Sequence, residues 1–176
     1  MLKLILIGLA VVIAGLLILA ATKPDTFRVE RSARIKAPAT KIFPLINDLH
    51  QMQTWSAWEK VDPAMKRAYS GAADGVGAVY EWEGNKDIGT GRMQIIESSP
   101  TSKVVLRMDF IKPFAAVNTV EFTLTPEGGS TRVTQAIFGP SPYFIRLMCL
   151  LFFNQDKMIG DKFEQGLADL KTIAER

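Results

Sequence analysis

The chain has 176 residues, 48% of them hydrophobic and 22% charged, and its 21 basic and 18 acidic side chains leave a net charge of +3. This length and apolar content suit one globular domain with a full core. The basic residues are scattered, without a basic run or a basic and aromatic stripe, which argues against nucleic acid as a partner. Because Cys149 is the only cysteine, an internal disulfide and a thiolate metal cage are excluded.

The N-terminal segment is long and apolar enough to cross a bilayer. No charged or polar side chain occurs from Leu4 to Ala21, and Lys3 and Lys23 flank this stretch. As a helix it would be about 27 Å long, close to the thickness of the hydrocarbon core. A cleaved secretory signal is the alternative, but Leu19 and Thr22 are poorly suited to a cleavage site. We predict an uncleaved membrane anchor over residues 1–24 and a single domain over residues 25–176.

The charges around this segment bear on its orientation. Lys3 and the amino terminus precede it, and several basic residues follow it: Lys23, Arg28, Arg31, Arg34 and Lys36. Because basic residues favour the cytoplasmic side, the bias leans toward a cytoplasmic domain. Some of these later charges are expected to belong to a folded strand.

The domain itself reads as strands and a few helices. A first strand is predicted over residues 27–36 and two short helices over residues 39–53, where Pro44 should kink or divide the helical stretch. Six more strands are predicted over residues 66–70, 77–83, 89–97, 103–110, 117–125 and 131–138. The short turns between them predict an antiparallel meander.

The hairpin over residues 76–96 has the clearest alternation. Its apolar positions share one face: Val76, Ala78, Tyr80 and Trp82 on the first strand, and Gly91, Met93 and Ile95 on the second. We expect this face to line an apolar cavity.

The C-terminal part is predicted to be helical. Ser141 and Pro142 are typical of a helix start, with a hydroxyl cap followed by proline. Residues 143–153 are apolar except for Arg146 and are too short to span a bilayer, so they form either a buried helix or a segment in the membrane interface. From Asn154 onward an amphipathic pattern predicts a long helix with one buried face.

Several short motifs along the chain resemble those of one superfamily. They are Ile35-Lys-Ala-Pro38, Trp55-Ser-Ala-Trp58-Glu59, Tyr69-Ser-Gly71, Gly75-Val-Gly77, Tyr80-Glu-Trp82, Gly89-Thr-Gly91 with Met93, and Phe163-Glu-Gln-Gly-Leu167. Their order resembles the START and Bet v 1-like (SRPBCC) superfamily, which includes polyketide cyclase/dehydrase proteins. The resemblance implies an α+β helix-grip fold, with a curved antiparallel sheet of about seven strands wrapped on a long C-terminal helix. It also implies a hydrophobic tunnel for a lipid-like or aromatic small molecule.

The candidate ligand-binding residues follow from strand phase, aromatic content and polar residues on apolar faces. They are Trp55, Trp58, Tyr80, Trp82, Met93, Met108, Phe110, Asn118 and Gln135. The alternative for the apolar members is a filled core. Gln135 and Asn118 must each bond a backbone group or meet a ligand or water. Gln135 also departs from the large apolar residue that similar sequences often carry there.

Catalytic signals are sparse. His50 is the only histidine and lies in a polar helical stretch, which is typical of a surface side chain. No metal, cofactor or phosphate-binding motif is expected, and no catalytic residue is assigned. If the protein is an enzyme of the cyclase or hydratase kind, the polar groups to test are Tyr80, Gln135, Asn118 and Glu59. Otherwise Glu59 is expected to be solvated.

The sequence therefore predicts a membrane-anchored binding protein for a small hydrophobic or lipid-like ligand. The anchor, the short polar joint after it and the apolar-faced sheet favour this function. Two alternatives are a polyketide cyclase/dehydrase-like enzyme and a co-chaperone-like interaction module that docks through residues 143–153. The identity of the ligand and the oligomeric state are left open.

Overall fold

A computed structural model describes all of residues 1–176, and it has the predicted α+β architecture. The strands are β1 (Thr26–Ile35), β2 (Lys66–Gly71), β3 (Ala78–Glu83), β4 (Thr90–Ser99), β5 (Lys103–Lys112), β6 (Ala116–Glu127) and β7 (Ser130–Pro140). The helices are α1 (Leu2–Thr22), α2 (Ala39–Asn47), α3 (Leu49–Met52), α4 (Tyr143–Leu151) and α5 (Gln155–Ala174). A 3-10 turn occupies Ala57–Lys60.

The seven strands form one antiparallel sheet in the order β1-β7-β6-β5-β4-β3-β2. Strands β2 to β7 are joined in sequence as the predicted meander, and β1 pairs along its full length with β7. Alternation holds along the sheet: β6 buries Asn118, Val120, Phe122 and Leu124, whereas the residues between them stay more exposed. One face of the sheet is therefore apolar and packs inward.

Helix α5 covers this face at the β1 edge of the sheet. Its buried side chains form the single apolar face that the amphipathic pattern predicts: Ile159, Phe163, Leu167, Leu170 and Ala174. They join a single core cluster with residues from the sheet and from α2 and α3. The helix-grip arrangement is confirmed.

Arg31 ties β1 to α5. It lies on the inward phase of β1, and its guanidinium donates to Asp156 Oδ2 (2.9 Å) and to Glu164 Oε1 (2.8 Å). A Cβ at position 160 would overlap that guanidinium, so Gly160 gives Arg31 the room to cross the helix.

The break between the two short helices differs from the prediction. Pro44 lies inside α2 without ending it, and the chain instead leaves the helical region at Asp48. The Asp48 carboxylate accepts the backbone N–H of His50 (2.8 Å) and so caps α3. The two predicted short helices are present, but a division at Pro44 is wrong, because the boundary falls at the capping residue Asp48.

Two smaller predictions were also wrong. Val76 is 59% exposed and precedes β3, because Gly75 and Gly77, with φ of 66° and 92°, form a turn there. Ser141 does not cap α4: it is buried, and its backbone N–H donates to the carbonyl of Asp25 (2.6 Å), continuing the contact between β1 and β7.

Helix α1 is apolar along its length and stands apart from the core, with Ala20 its only buried residue. It is long and apolar enough to cross a membrane, although a signal sequence near an N-terminus meets the same criteria. Helix α4 packs beside the C-terminal end of α1.

Candidate ligand-binding site

A cross-strand row of side chains builds the centre of the candidate site. The strand register pairs Tyr69 with Tyr80, Tyr80 with Met93, Met93 with Met108 and Met108 with Asn118. Residues directly opposite each other on antiparallel strands point to the same face of a sheet. Four predicted site residues therefore form one continuous row, which we call the Asn118 row (Tyr69, Tyr80, Met93, Met108 and Asn118).

The neighbouring row holds two more predicted residues, Trp82 and Phe110, with Gly91 between them in register. The two rings meet edge to face, with centroids 6.0 Å apart. A Cβ at position 91 would overlap the Trp82 indole, so the glycine makes the space in which the ring lies.

These two rows are not sealed by protein. Tyr80 and Trp82 are buried, at 5% and 6% exposure, but Met93, Met108 and Phe110 are only partly buried against the core. Phe110 pairs with Ala116 beside the turn between β5 and β6. The exposed apolar area thus lies at the end of the sheet formed by that turn.

Asn118 and Gln135 both carry a buried amide oxygen that has no hydrogen-bond donor within the protein. Asn118 Oδ1 points toward Gly139, where a Cβ would touch it. Gln135 lies in a different part of the face, in register with Phe122 and Arg31 and near α5. The structure therefore brings Asn118, but not Gln135, together with the methionines.

The two tryptophans before β2 occupy different positions, and Trp55 packs against α2 and Phe122, away from the Asn118 row. Trp55 is 2% exposed, donates its indole N–H to the carbonyl of Leu45 (2.8 Å) and meets Phe122 edge-on. Trp58 is half-buried in the 3-10 turn, which contacts α5.

Glu59 was predicted to be solvated, but the protein covers most of its side chain. Its side chain is 13% exposed; the carboxylate accepts the Tyr80 hydroxyl (2.7 Å) and pairs with Arg67 Nε (2.8 Å). The prediction was wrong because Arg67 shares the inward phase of β2 with Tyr69, and it brings a cation to the carboxylate. The alternation of β2 places Arg67 and Tyr69 on one face, and this signal is present in the sequence.

The pKa of Tyr80 is raised well above its ordinary value, first by burial and then by the hydrogen bond to Glu59. The pKa of Tyr69 is also raised, chiefly by burial, and its hydroxyl donates to Gln53 Oε1 (2.7 Å). Both phenols therefore stay protonated and act as hydrogen-bond donors at neutral pH.

Two pockets lie outside the predicted set. One of ≈ 170 Å³ is lined by His50 and Tyr69, among others, at the β2 edge, where exposed His50 stacks on Tyr69 at 3.8 Å. The other, of ≈ 310 Å³, lies between the end of α1, α4 and the start of α5 and includes Lys23 and Arg146. Neither is lined by any of the nine predicted residues, and no three His, Cys, Asp or Glu side chains are grouped so that they could hold a metal.

Solved structures share this fold at low sequence identity. Ginseng major latex-like protein 151 from Panax ginseng is 12% identical with a TM-score of 0.60, covering 87% of this chain and all of its own (100%). Protein CV1439 from Chromobacterium violaceum is 14% identical with a TM-score of 0.59, covering 88% and 99%. The Aha1 dimer from Colwellia psychrerythraea is 17% identical with a TM-score of 0.58, covering 85% and 96%. At these identities the similarity bears on the fold alone.

The sequence itself gives the family. No curated protein matches it significantly. Residues 26–175, however, match the family described as polyketide cyclase / dehydrase and lipid transport. That range runs from the first residue of β1 to beyond the end of α5. The chain, with its seven-stranded sheet gripping a C-terminal helix, therefore belongs to the polyketide cyclase / dehydrase and lipid transport family of the SRPBCC superfamily.

Proposed function

We propose that this protein binds a small hydrophobic or lipid-like molecule on the concave face of the sheet, which is the apolar face that α5 partly covers. Helix α1 anchors the protein in a membrane. The observation that carries the proposal is the Asn118 row. There an amide oxygen without a protein donor lies in one line with two partly buried methionines. An apolar surface with a single polar group is what an amphipathic ligand needs for affinity and orientation.

Family membership supports the same class of ligand, since the family binds small hydrophobic molecules in general. Phe110 and Trp82 extend the apolar surface beside the row. Trp55, Trp58 and Gln135 stay predictions as ligand contacts. For Trp55 the packed position favours shaping the site over touching the guest.

The membrane part of the proposal rests on α1 and on the joint after it. Only residues 23–25 separate α1 from β1, so the start of the domain is held within about 10 Å of the end of the anchor. A ligand taken from the adjacent bilayer is therefore the nearest source. The basic residues after the anchor favour the cytoplasmic side.

The decisive experiment is native mass spectrometry of the detergent-extracted full chain, followed by titration with a dansyl-labelled fatty acid. We expect a retained lipid-like mass and saturable binding of the probe at one site. Met108→Trp should fill the row and weaken probe binding, whereas Ile96→Trp, at a position 49% exposed on the same strand pair, should not. No retained mass together with equal binding by both variants would contradict the proposal.

An enzyme is the second candidate, favoured by the contact between Tyr80 and Glu59. Of the four polar groups suggested by the sequence, these two meet at 2.7 Å, with Arg67 on the other carboxylate oxygen. A buried phenol held by a carboxylate can donate a proton or a hydrogen bond to a bound carbonyl. For this function, Tyr80→Phe should abolish turnover of a ligand identified by mass spectrometry while leaving its binding intact.

A further inference from the structure

Helix α4 is an apolar helix without a single buried residue. Phe144 is 56% exposed and Leu151 is 42% exposed, and the two residues after the helix, Phe152 and Phe153, are 69% and 51% exposed. Large contiguous apolar surfaces on a folded domain mark a place where something else binds.

The exposed side of α4 is free of charge. Helical spacing puts Phe144, Met148 and Leu151 on one face, at positions i, i+4 and i+7. Arg146, the only charged residue of the helix, lies on the opposite face, where it lines the pocket beside Lys23. The outward face is therefore uniformly apolar.

The turn between β5 and β6 extends this face. Phe114 in the turn is 65% exposed, and its ring lies 6.5 Å from that of Phe144. We call the combined surface of Phe114, Phe144, Met148 and Leu151 the α4 surface.

Hydrogen bonds fix the depth of α4 relative to α1. The Tyr143 hydroxyl donates to the carbonyl of Leu17 (2.9 Å), and Arg146 donates to the carbonyl of Lys23 (2.6 Å). Leu17 precedes Lys23 by about 9 Å along a helix that rises about 1.5 Å per residue. The start of α4 is thus level with the last apolar turns of α1, and about 5–10 Å is the depth at which amphipathic helices rest in a membrane.

We propose that the α4 surface lies in the lipid bilayer, at the boundary between headgroups and acyl chains of the leaflet in which α1 ends. This inference rests on the proposed membrane anchor and adds a second, in-plane contact to it. Phospholipid is the fitting occupant because the surface lies on a helix that packs beside the apolar helix α1 and carries no charge that would select a protein partner. Its phenylalanine and leucine side chains are also of the kind that interfacial helices bury in the membrane.

The contact has a consequence for ligand exchange. Phe110 belongs to the row next to the Asn118 row and is only a few residues from the turn that holds Phe114. With Phe114 in the interface, the partly exposed end of the concave face borders the lipid. A hydrophobic guest then passes between bilayer and sheet with little exposure to water.

The test uses the full chain in nanodiscs of phosphatidylcholine and phosphatidylglycerol, with a nitroxide label at one cysteine at a time in a Cys149→Ala background. Labels at Phe144→Cys and Leu151→Cys report on α4, and Phe114→Cys reports on the turn independently of the helix. Ile13→Cys marks the anchor, and Thr125→Cys, exposed on β6 near the far end of β1, marks the aqueous side. Accessibility to oxygen and to a water-soluble nickel complex is measured by electron paramagnetic resonance.

We expect the oxygen-to-nickel ratio at positions 144, 151 and 114 to be several-fold higher than at 125 and below that at 13. If position 13 is lipid-exposed but 144, 151 and 114 match 125, the inference is overturned and the anchor stands. If position 13 also matches 125, the proposed anchoring fails with it. Labels shielded from both reagents and broadened by label-to-label coupling would show a second copy on the surface and would also overturn the inference.

Discussion

The two ends of the concave face differ in how completely the protein fills them. At the α5 end, Phe122, Leu167 and Leu170 are at most 1% exposed, and Arg31 fastens the helix to β1 through two carboxylates. At the end near the turn between β5 and β6, Met93 and Met108 are only partly buried. An amide oxygen without a donor occurs at both ends, Gln135 Oε1 near α5 and Asn118 Oδ1 beside the methionines. In the function we propose, one end of the sheet stabilises the fold and the other end contacts the ligand.

The largest effect is expected from Trp55→Ala at the filled end. Removing a side chain that is 2% exposed leaves a cavity and an unpaired Leu45 carbonyl, so the free energy of unfolding should fall by about 3–5 kcal/mol. Trp55→Phe, the control, keeps most of the volume and should lose less. Chemical denaturation in detergent measures both, and a near-neutral Trp55→Ala would mean that this end is not tightly packed.

Gly91→Ala tests how tightly the Trp82 ring is packed at the end of the sheet near the turn between β5 and β6. The new methyl group would overlap the Trp82 indole and approach the Asp109 carbonyl at 2.8 Å, so we expect a loss of about 1–3 kcal/mol. Gly166→Ala in α5 is the matched change, since its contacts start at 3.4 Å and alanine favours a helix. Thermal unfolding should separate the pair, and equal melting temperatures would contradict the placement of Trp82.

Met108→Ala should separate binding from stability. Because Met108 is only partly buried, we expect a stability loss at or below about 2 kcal/mol, the low end for methionine truncation. Probe affinity should fall by about tenfold, which corresponds to about 1.4 kcal/mol. Met52→Ala, at a buried position in α3, should show the reverse, with a larger loss of stability and unchanged affinity.

Glu59→Gln should lower the pKa of Tyr80 without returning it to its ordinary value. The substitution removes the negative charge next to the phenol, but burial, the larger cause of the raised pKa, remains. The pKa should therefore fall yet stay above 10.0, the ordinary value. Ring-carbon chemical shifts of labelled tyrosine measure it, and an unchanged value would show that Glu59 does not hold the hydroxyl.

The smallest effect is expected from the ion pair between Arg31 of β1 and Asp156 of α5. The hydrogen bond from Arg31 lowers the pKa of Asp156 in the folded protein. The ion pair therefore stabilises the fold when the pH is above 3.8, the ordinary pKa, and this stabilisation is lost as the pH falls through the lower pKa of the folded state. The melting temperature of Asp156→Asn should lie slightly below that of the unchanged chain at pH 7, and the gap should shrink below 3.8. A gap that persists in acid would assign the effect to packing.

Strand phase made much of the site predictable. Alternation alone put Tyr80, Met93, Met108 and Asn118 on one face, and the register then joined them in a row. What alternation cannot give is whether a face is filled. The depth of Trp55 and the burial of Glu59 depend on which distant elements cover them, namely α2 through Leu45 and β2 through Arg67.

Local signals failed where a tertiary contact or a competing cap decided the outcome. Proline at position 44 predicts a kink or a division of the helix, yet the boundary lies four residues later, at Asp48, whose carboxylate caps α3. Serine is a residue type that often caps helices, but Ser141 does not cap α4, and its backbone N–H donates to the carbonyl of Asp25. The sequence of residues 143–153 allows either a buried helix or a segment in the membrane interface, and the exposure of α4 favours the second.

The bond between Ser141 and Asp25 also sets the range over which the proposed carrier works. It fixes the short linker after α1 to the end of β7, so the domain does not move freely on a flexible linker. If α1 anchors the protein as we propose, the domain does not carry its ligand across an aqueous gap between two membranes. In the function we propose, it presents or withdraws its guest in the leaflet where it resides, and any partner that receives the guest has to come to it.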